Sequence, residues 1–132
     1  ETIHLRDLAA ATLKNKVDSL RSISNDDAKI IIMGDFNDTP DSAPFKLLPS
    51  YMKNMAEDIH NKGEGSIKFN GKWEIIDMFL VSLELDCKME ICYPPFLMTV
   101  DNQRTGMKPL RSFSGPRYLG GVSDHCPIVL IF

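Results

Sequence analysis

The sequence predicts an α/β domain, and three features carry that expectation. An amphipathic helix opens the chain, the apolar run Ile30–Met33 follows it, and Asn70-Gly71 separates two strand-like segments further on. A helix feeding a short apolar strand is the pattern of helices layered on a sheet. The 132 residues leave room for one modest domain, taken as 1–132, and not for two.

In LRDLAAATLKNKVDSL, Leu5, Leu8, Ala9, Leu13, Val17 and Leu20 recur at three- and four-residue intervals. That stripe is expected to face a core over residues 5–22, while Arg6, Lys14, Lys16 and Arg21 reach solvent. Ser24, Asn25 and Asp26 end the helix. AKIIIMGDFN then reads as a short strand buried on both faces. DTPDSAPFKLLP gives a loop with one helical turn near 42–48, and residues 51–62 carry no clear pattern.

Ile67–Phe69, Asn70-Gly71 and Trp73–Val81 read as a hairpin, because Asn-Gly suits the turn whose twist matches paired strands. In its second strand Ile75, Asp77, Phe79 and Val81 share one face and Ile76, Met78 and Leu80 the other, so the strand is expected to be central. Lys88–Tyr93 looks like a more exposed strand, ended by Pro94-Pro95. Residues 102–123 read as loop, and His125–Phe132 as an apolar closing strand. The expected strands are therefore near 30–34, 73–81 and 125–131.

Composition sets limits. At 43% hydrophobic and 25% charged, the chain is neither disordered nor collagen-like nor a coiled coil. No apolar stretch approaches the roughly 18 residues of a membrane-spanning helix. A net charge of -3 argues against holding nucleic acid by whole-surface attraction, though not against touching a phosphodiester locally. Glu1 is not a start methionine and no signal-like segment follows it; a removed leader or an upstream region would look the same. Cys87, Cys92 and Cys126 lack zinc or redox spacing; Cys126 is expected to be a buried small hydrophobe, with a Cys87–Cys92 disulfide as the lesser alternative. The compartment is not legible.

Asp35 and Asn37 follow the first strand directly, where loops at strand ends converge on ligands. A plain Asx turn before a Pro-containing loop would also account for them. Asp77 lies among Ile75, Ile76, Met78, Phe79 and Leu80, where an ionised carboxylate needs a partner. A structural ion pair would serve; so would orienting a histidine, and Asp124-His125 stands at the mouth of another apolar strand. Three strand ends thus bring Asp35, Asn37, Asp77, Asp124 and His125 toward one cluster. Oxygen ligands favour Mg²⁺, or Mn²⁺, over structural zinc, and a histidine beside them suits phosphoryl chemistry. Arg104, Lys108, Arg111 and Arg117, with no acid between Asn102 and Ser123, could meet a phosphate or form a solvated loop.

GDFN at Gly34–Asn37, WEIIDMFLVS at Trp73–Ser82 and SDHCPI at Ser123–Ile128 together resemble the ordered C-terminal motifs of the endonuclease/exonuclease/phosphatase family. The resemblance implies half of a four-layer α/β sandwich, with a mixed β-sheet flanked by helices, and places only the C-terminal half of the family pattern in this chain. It implies a divalent-metal-dependent phosphoester hydrolase, foremost an endonuclease-like phosphodiesterase using an activated water. A phosphomonoesterase or lipid phosphodiesterase of the same fold, and a non-catalytic binding fragment, are the alternatives. By the same resemblance Asp35 orients or deprotonates the water and Asn37 holds the phosphate. Asp77 holds the ring of His125, His125 contacts a phosphoryl oxygen, and Asp124 joins Asp35 at the metal. The implied partners are a phosphoester substrate, nucleic acid among them, and either a separate N-terminal half or a second copy covering an apolar sheet face.

Overall fold

The computed structural model describes residues 2–132, beginning with a helix over Thr2–Ile23 (α1). The strands are β1 (Ile31–Asp35), β2 (Met52–Asn54), β3 (Ile67–Phe69), β4 (Lys72–Glu74), β5 (Asp77–Ser82), β6 (Lys88–Ile91), β7 (Met98–Val100), β8 (Met107–Pro109), β9 (Phe113–Ser114), β10 (Arg117–Tyr118) and β11 (Ile128–Ile131). A second short helix, α2, covers Glu57–Asn61, and a 3₁₀ turn covers Ala43–Leu47. The result is a mixed α/β fold of several small antiparallel sheets rather than one mixed sheet. No parallel ladder joins the named strands among the described residues.

The central sheet has the order β1-β5-β2. β5 is its middle strand, and Met78, Leu80 and Val81 are almost completely buried with Ile75 just before them. Each such side chain contributes roughly 1.5–3 kcal/mol of burial. The Asn-Gly hairpin forms as the sequence predicts: Phe69 pairs with Lys72, and Asn70 and Gly71 both take positive φ, 49° and 84°. The long strand expected over 73–81 is broken, however. Trp73 and Glu74 stay with β3, while β5 begins at Asp77 and turns to β1 and β2.

β1 departs from the expectation of a strand buried on both faces. It is an edge strand, and Met33 is 72% exposed. Residues 102–123 are also more ordered than expected, holding β8, which pairs with the preceding β7, and the antiparallel pair β9–β10. Their strands of two or three residues are too short to show a period in sequence. β11 begins at Ile128, so His125 lies ahead of it, and β11 pairs with β6. Cys126 is buried, as expected, and all three cysteines are free. No helix of the described residues is long and apolar enough to cross a membrane.

α1 docks through a narrower stripe than its sequence suggests. Val17 is buried and Leu13 partly buried against Met52 and Leu80, whereas Leu5, Leu8 and Leu20 are exposed. Arg21, expected in solvent, is buried instead. Its guanidinium lies over the Tyr51 ring at 4.4 Å, donates to the Asp26 carbonyl at 2.9 Å and pairs with Glu84 at 3.3 Å. Beside it the Tyr51 hydroxyl donates to Asp18, which also takes a 2.7 Å bond from Lys14.

Burial, and then the hydrogen bond to Asp18, push the Tyr51 hydroxyl from 10.0 up to about 12. The folded chain thus holds this proton more tightly than the unfolded chain does. The associated stability is complete below pH 10.0 and is lost as the pH rises from there through about 12. Thermal melts followed by circular dichroism should show Tm falling across that window, with a shallower fall in Tyr51→Phe. Identical slopes in the two proteins would exclude this tyrosine as the cause.

Candidate functional site

The β1–β5 register sets Asp35 directly opposite Asp77. Just beyond, the Phe36 N–H donates to the Ile76 carbonyl at 2.9 Å, and the Phe36 ring packs edge-on against Phe45 with centroids 5.5 Å apart. That partly buried ring anchors the chain just past the end of β1. Asp35 Oδ1 accepts the Asn37 backbone N–H at 2.8 Å, and Asn37 takes φ 50°. The GDFN segment therefore does form an Asx turn, and the same aspartate faces Asp77 across the ladder. Two like charges directly opposite each other repel, so this pairing favours a cation between them.

Asp77 also meets a histidine. Ile67 of β3 forms an antiparallel bridge with His125, and the Cys126 N–H donates to the Ser66 carbonyl at 2.6 Å. This attaches the 123–126 segment beside β5, and the His125 N–H donates to Ser123 Oγ at 3.0 Å. His125 Nδ1 then lies 2.7 Å from Asp77 Oδ2. A carboxylate only accepts, so Nδ1 holds the proton and Nε2 is left for another partner.

Sequence reasoning misses Ser66, which is fully buried and donates through Oγ to the same Asp77 Oδ2 at 2.5 Å. Its backbone holds the histidine segment while its side chain holds the aspartate. Gly65 makes this approach feasible, since a Cβ there would sit 2.4 Å from the Glu74 backbone. A Gly-Ser pair ahead of a hairpin is too common a pattern to have marked it.

One ligand atom each from Asp35, Asp77 and His125 lie within 4.8 Å of one another, a candidate divalent-metal site. The donor chemistry fits a hard cation: Asp35 Oδ2 and Asp77 Oδ1 accept no hydrogen bond from the described residues. Asp124 lies outside this group. Its Oδ2 pairs with Arg111 Nη2 at 3.0 Å, and adjacent residues in extended backbone point to opposite sides. Asn37 reaches the group through its backbone bond to Asp35. A cleft of about 340 Å³ opens over Asp77 and His125, walled by Leu97, Val122 and Pro127. Burial and the Asp77 carboxylate push the Cys126 thiol up, so it stays a neutral packing group.

In comparison with protein families, the model described as the Endonuclease/Exonuclease/phosphatase family matches residues 3–132. This corrects the expectation that only a C-terminal half of the family pattern is present, because the match takes in essentially the whole chain. Comparison with curated proteins and with solved structures gave no match.

Proposed function

The chain belongs to the Endonuclease/Exonuclease/phosphatase family, and on that premise we propose that it is an endonuclease-like phosphodiesterase dependent on Mg²⁺, with Mn²⁺ as a substitute. The observation that carries the reading is the Asp77–His125 pair facing Asp35 across one ladder. Asp35 orients the attacking water and accepts its proton. Asn37 donates to a phosphoryl oxygen. His125, its ring held by Asp77 and Ser66, presents Nε2 to the same phosphoryl group in its protonated form. Asp35 and Asp77 would hold the cation, and Asp124 is the further carboxylate we assign to it. When bound, the cation supplies positive charge against the developing negative charge on phosphorus oxygens.

Bis(p-nitrophenyl) phosphate tests this directly. Hydrolysis should require a divalent cation, stop in EDTA, and return on adding Mg²⁺ or Mn²⁺. A metal-independent rate, or none, would overturn the proposal. Faster turnover of p-nitrophenyl phosphate than of the diester would assign the protein to the phosphomonoesterases.

A further inference from the structure

A second cleft, of about 340 Å³, is lined in part by Asp124, the neighbour of His125 in the chain, and apart from Asp124 the roles above make no use of its lining. Two hairpin tips build it. Lys68 of β3 donates to the carbonyls of Thr105 at 2.6 Å and Met107 at 3.2 Å, tying the first hairpin to the β7–β8 turn. Lys68 and Asp101 form its floor, each side chain only 5% exposed. At the rim Arg104 lies against Gly71, where a Cβ would come within 2.9 Å of the arginine Cγ. The glycine of the Asn-Gly turn thus serves the cleft as well as the turn.

The charge of this cleft is unbalanced. Asp101 alone faces two ammonium groups, Lys108 at 3.1 Å and Lys68 at 3.5 Å. Burial by itself would raise its carboxyl, but the bonds from Lys108 and the Gln103 N–H, with both ammonium charges, hold it below the usual carboxylate range. Asp124 is taken by Arg111 at 3.0 Å. Arg104 has no carboxylate partner among the described residues. Four cations therefore line the cleft against two carboxylates, in a chain whose net charge is -3. A concave site with excess positive charge attracts an anion. Phe69, 57% exposed, lines the same cleft and offers a ring face beside that charge. Phosphate-binding cations beside an open aromatic ring suit a nucleotide unit better than an isolated phosphate. Arg117, grouped with these cations in the sequence, is not part of the lining.

We propose that this cleft binds a nucleotide flanking the scissile position of a polynucleotide strand, with Arg104 on its phosphate and Phe69 against its base. The assignment rests on the phosphodiesterase reading for its place in catalysis, while binding can be measured without catalysis. Fluorescence anisotropy of a labelled single-stranded oligonucleotide, in EDTA over a series of KCl concentrations, reads the cleft alone. Arg104→Ala should weaken binding ~5-fold or more and reduce the salt slope by about 0.7, the share of one single-strand phosphate contact. Phe69→Ala should weaken binding ~5-fold or more with the slope unchanged. Hydrolysis of bis(p-nitrophenyl) phosphate reads the reacting centre alone and should be unaltered in Arg104→Ala, while kcat/KM on the oligonucleotide falls.

Wild-type affinity and slope in Arg104→Ala would overturn the proposal, as would an equal loss on both substrates. Displacement of the oligonucleotide by phosphatidylserine vesicles, dependent on Arg104, would reassign the cleft to lipid headgroups. Arg104-dependent oligonucleotide binding in a wild-type protein that does not hydrolyse the small diester would uphold the cleft and overturn the catalytic reading.

Discussion

Replacing His125 with alanine should lower kcat on bis(p-nitrophenyl) phosphate by about 10²- to 10⁴-fold, with KM changed far less. The split follows from the proposed role. A protonated imidazole aimed at a phosphoryl oxygen gains most where negative charge peaks, so its removal raises the barrier more than it weakens substrate binding. The residues behind it should give graded losses. Asp77→Asn keeps the ring but leaves Nδ1–H donating to a neutral acceptor. It also removes one charged ligand of the proposed cation, so metal binding should weaken along with turnover. Ser66→Ala removes the second bond to Asp77 Oδ2 and the 3.4 Å acceptor of the Asp77 N–H, and Ser66→Thr should restore most of that smaller loss. Steady-state kinetics at saturating Mg²⁺, with circular dichroism as the folding control, checks the series. Wild-type turnover in folded His125→Ala would return this histidine to a purely structural role.

Asp35→Asn should be comparably severe, by about 10²- to 10⁴-fold in kcat, and it has a second signature. The amide retains an oxygen for the Asn37 N–H, so the turn at the end of β1 survives. It neither accepts a proton from water nor offers a charged ligand. Metal binding followed by calorimetric titration should therefore weaken together with turnover. Metal-free stability should move the other way: opposed carboxylates at Asp35 and Asp77 repel, and neutralising one relieves roughly 0.2–1 kcal/mol. A lower Tm in EDTA for Asp35→Asn than for the wild type would mark Asp35 as a structural residue.

What could be read from the sequence depended on how local its cause was. The Asn70-Gly71 turn was legible because both residues accept positive φ, and the central place of β5 because both its faces are apolar. The exposure of β1 was not, since the run Ile30–Met33 says nothing of what lies against it. The helix stripe was overdrawn for the same reason: a 3.6-residue period finds Leu5 and Leu8, but only Leu13 and Val17 meet the sheet. Charge misled at Arg21, whose ring and carboxylate partners, Tyr51 and Glu84, are remote in sequence. Within the site, Asp35, Asp77 and His125 were legible as polar residues at apolar strand ends, and they do come together. Ser66 was hidden because its importance arises from a neighbour eleven positions away, and nothing in the sequence signalled that the Asp124 side chain pairs with Arg111.

The pairing of Asp35 with Asp77 has a further consequence for how the chain finds its alignment. β1 presents Ile31, Ile32 and Met33 to β5, which answers with Val81, Leu80 and Phe79. Apolar partners this alike discriminate poorly between neighbouring alignments, and a slip of one residue would turn β1 over. Such a slip sets Asp35 against Ile76 or Met78 and takes the paired carboxylates apart. An ion that needs both carboxylates would bind the native alignment and none of its neighbours, so it would act as a proofreader of strand pairing as well as a reagent.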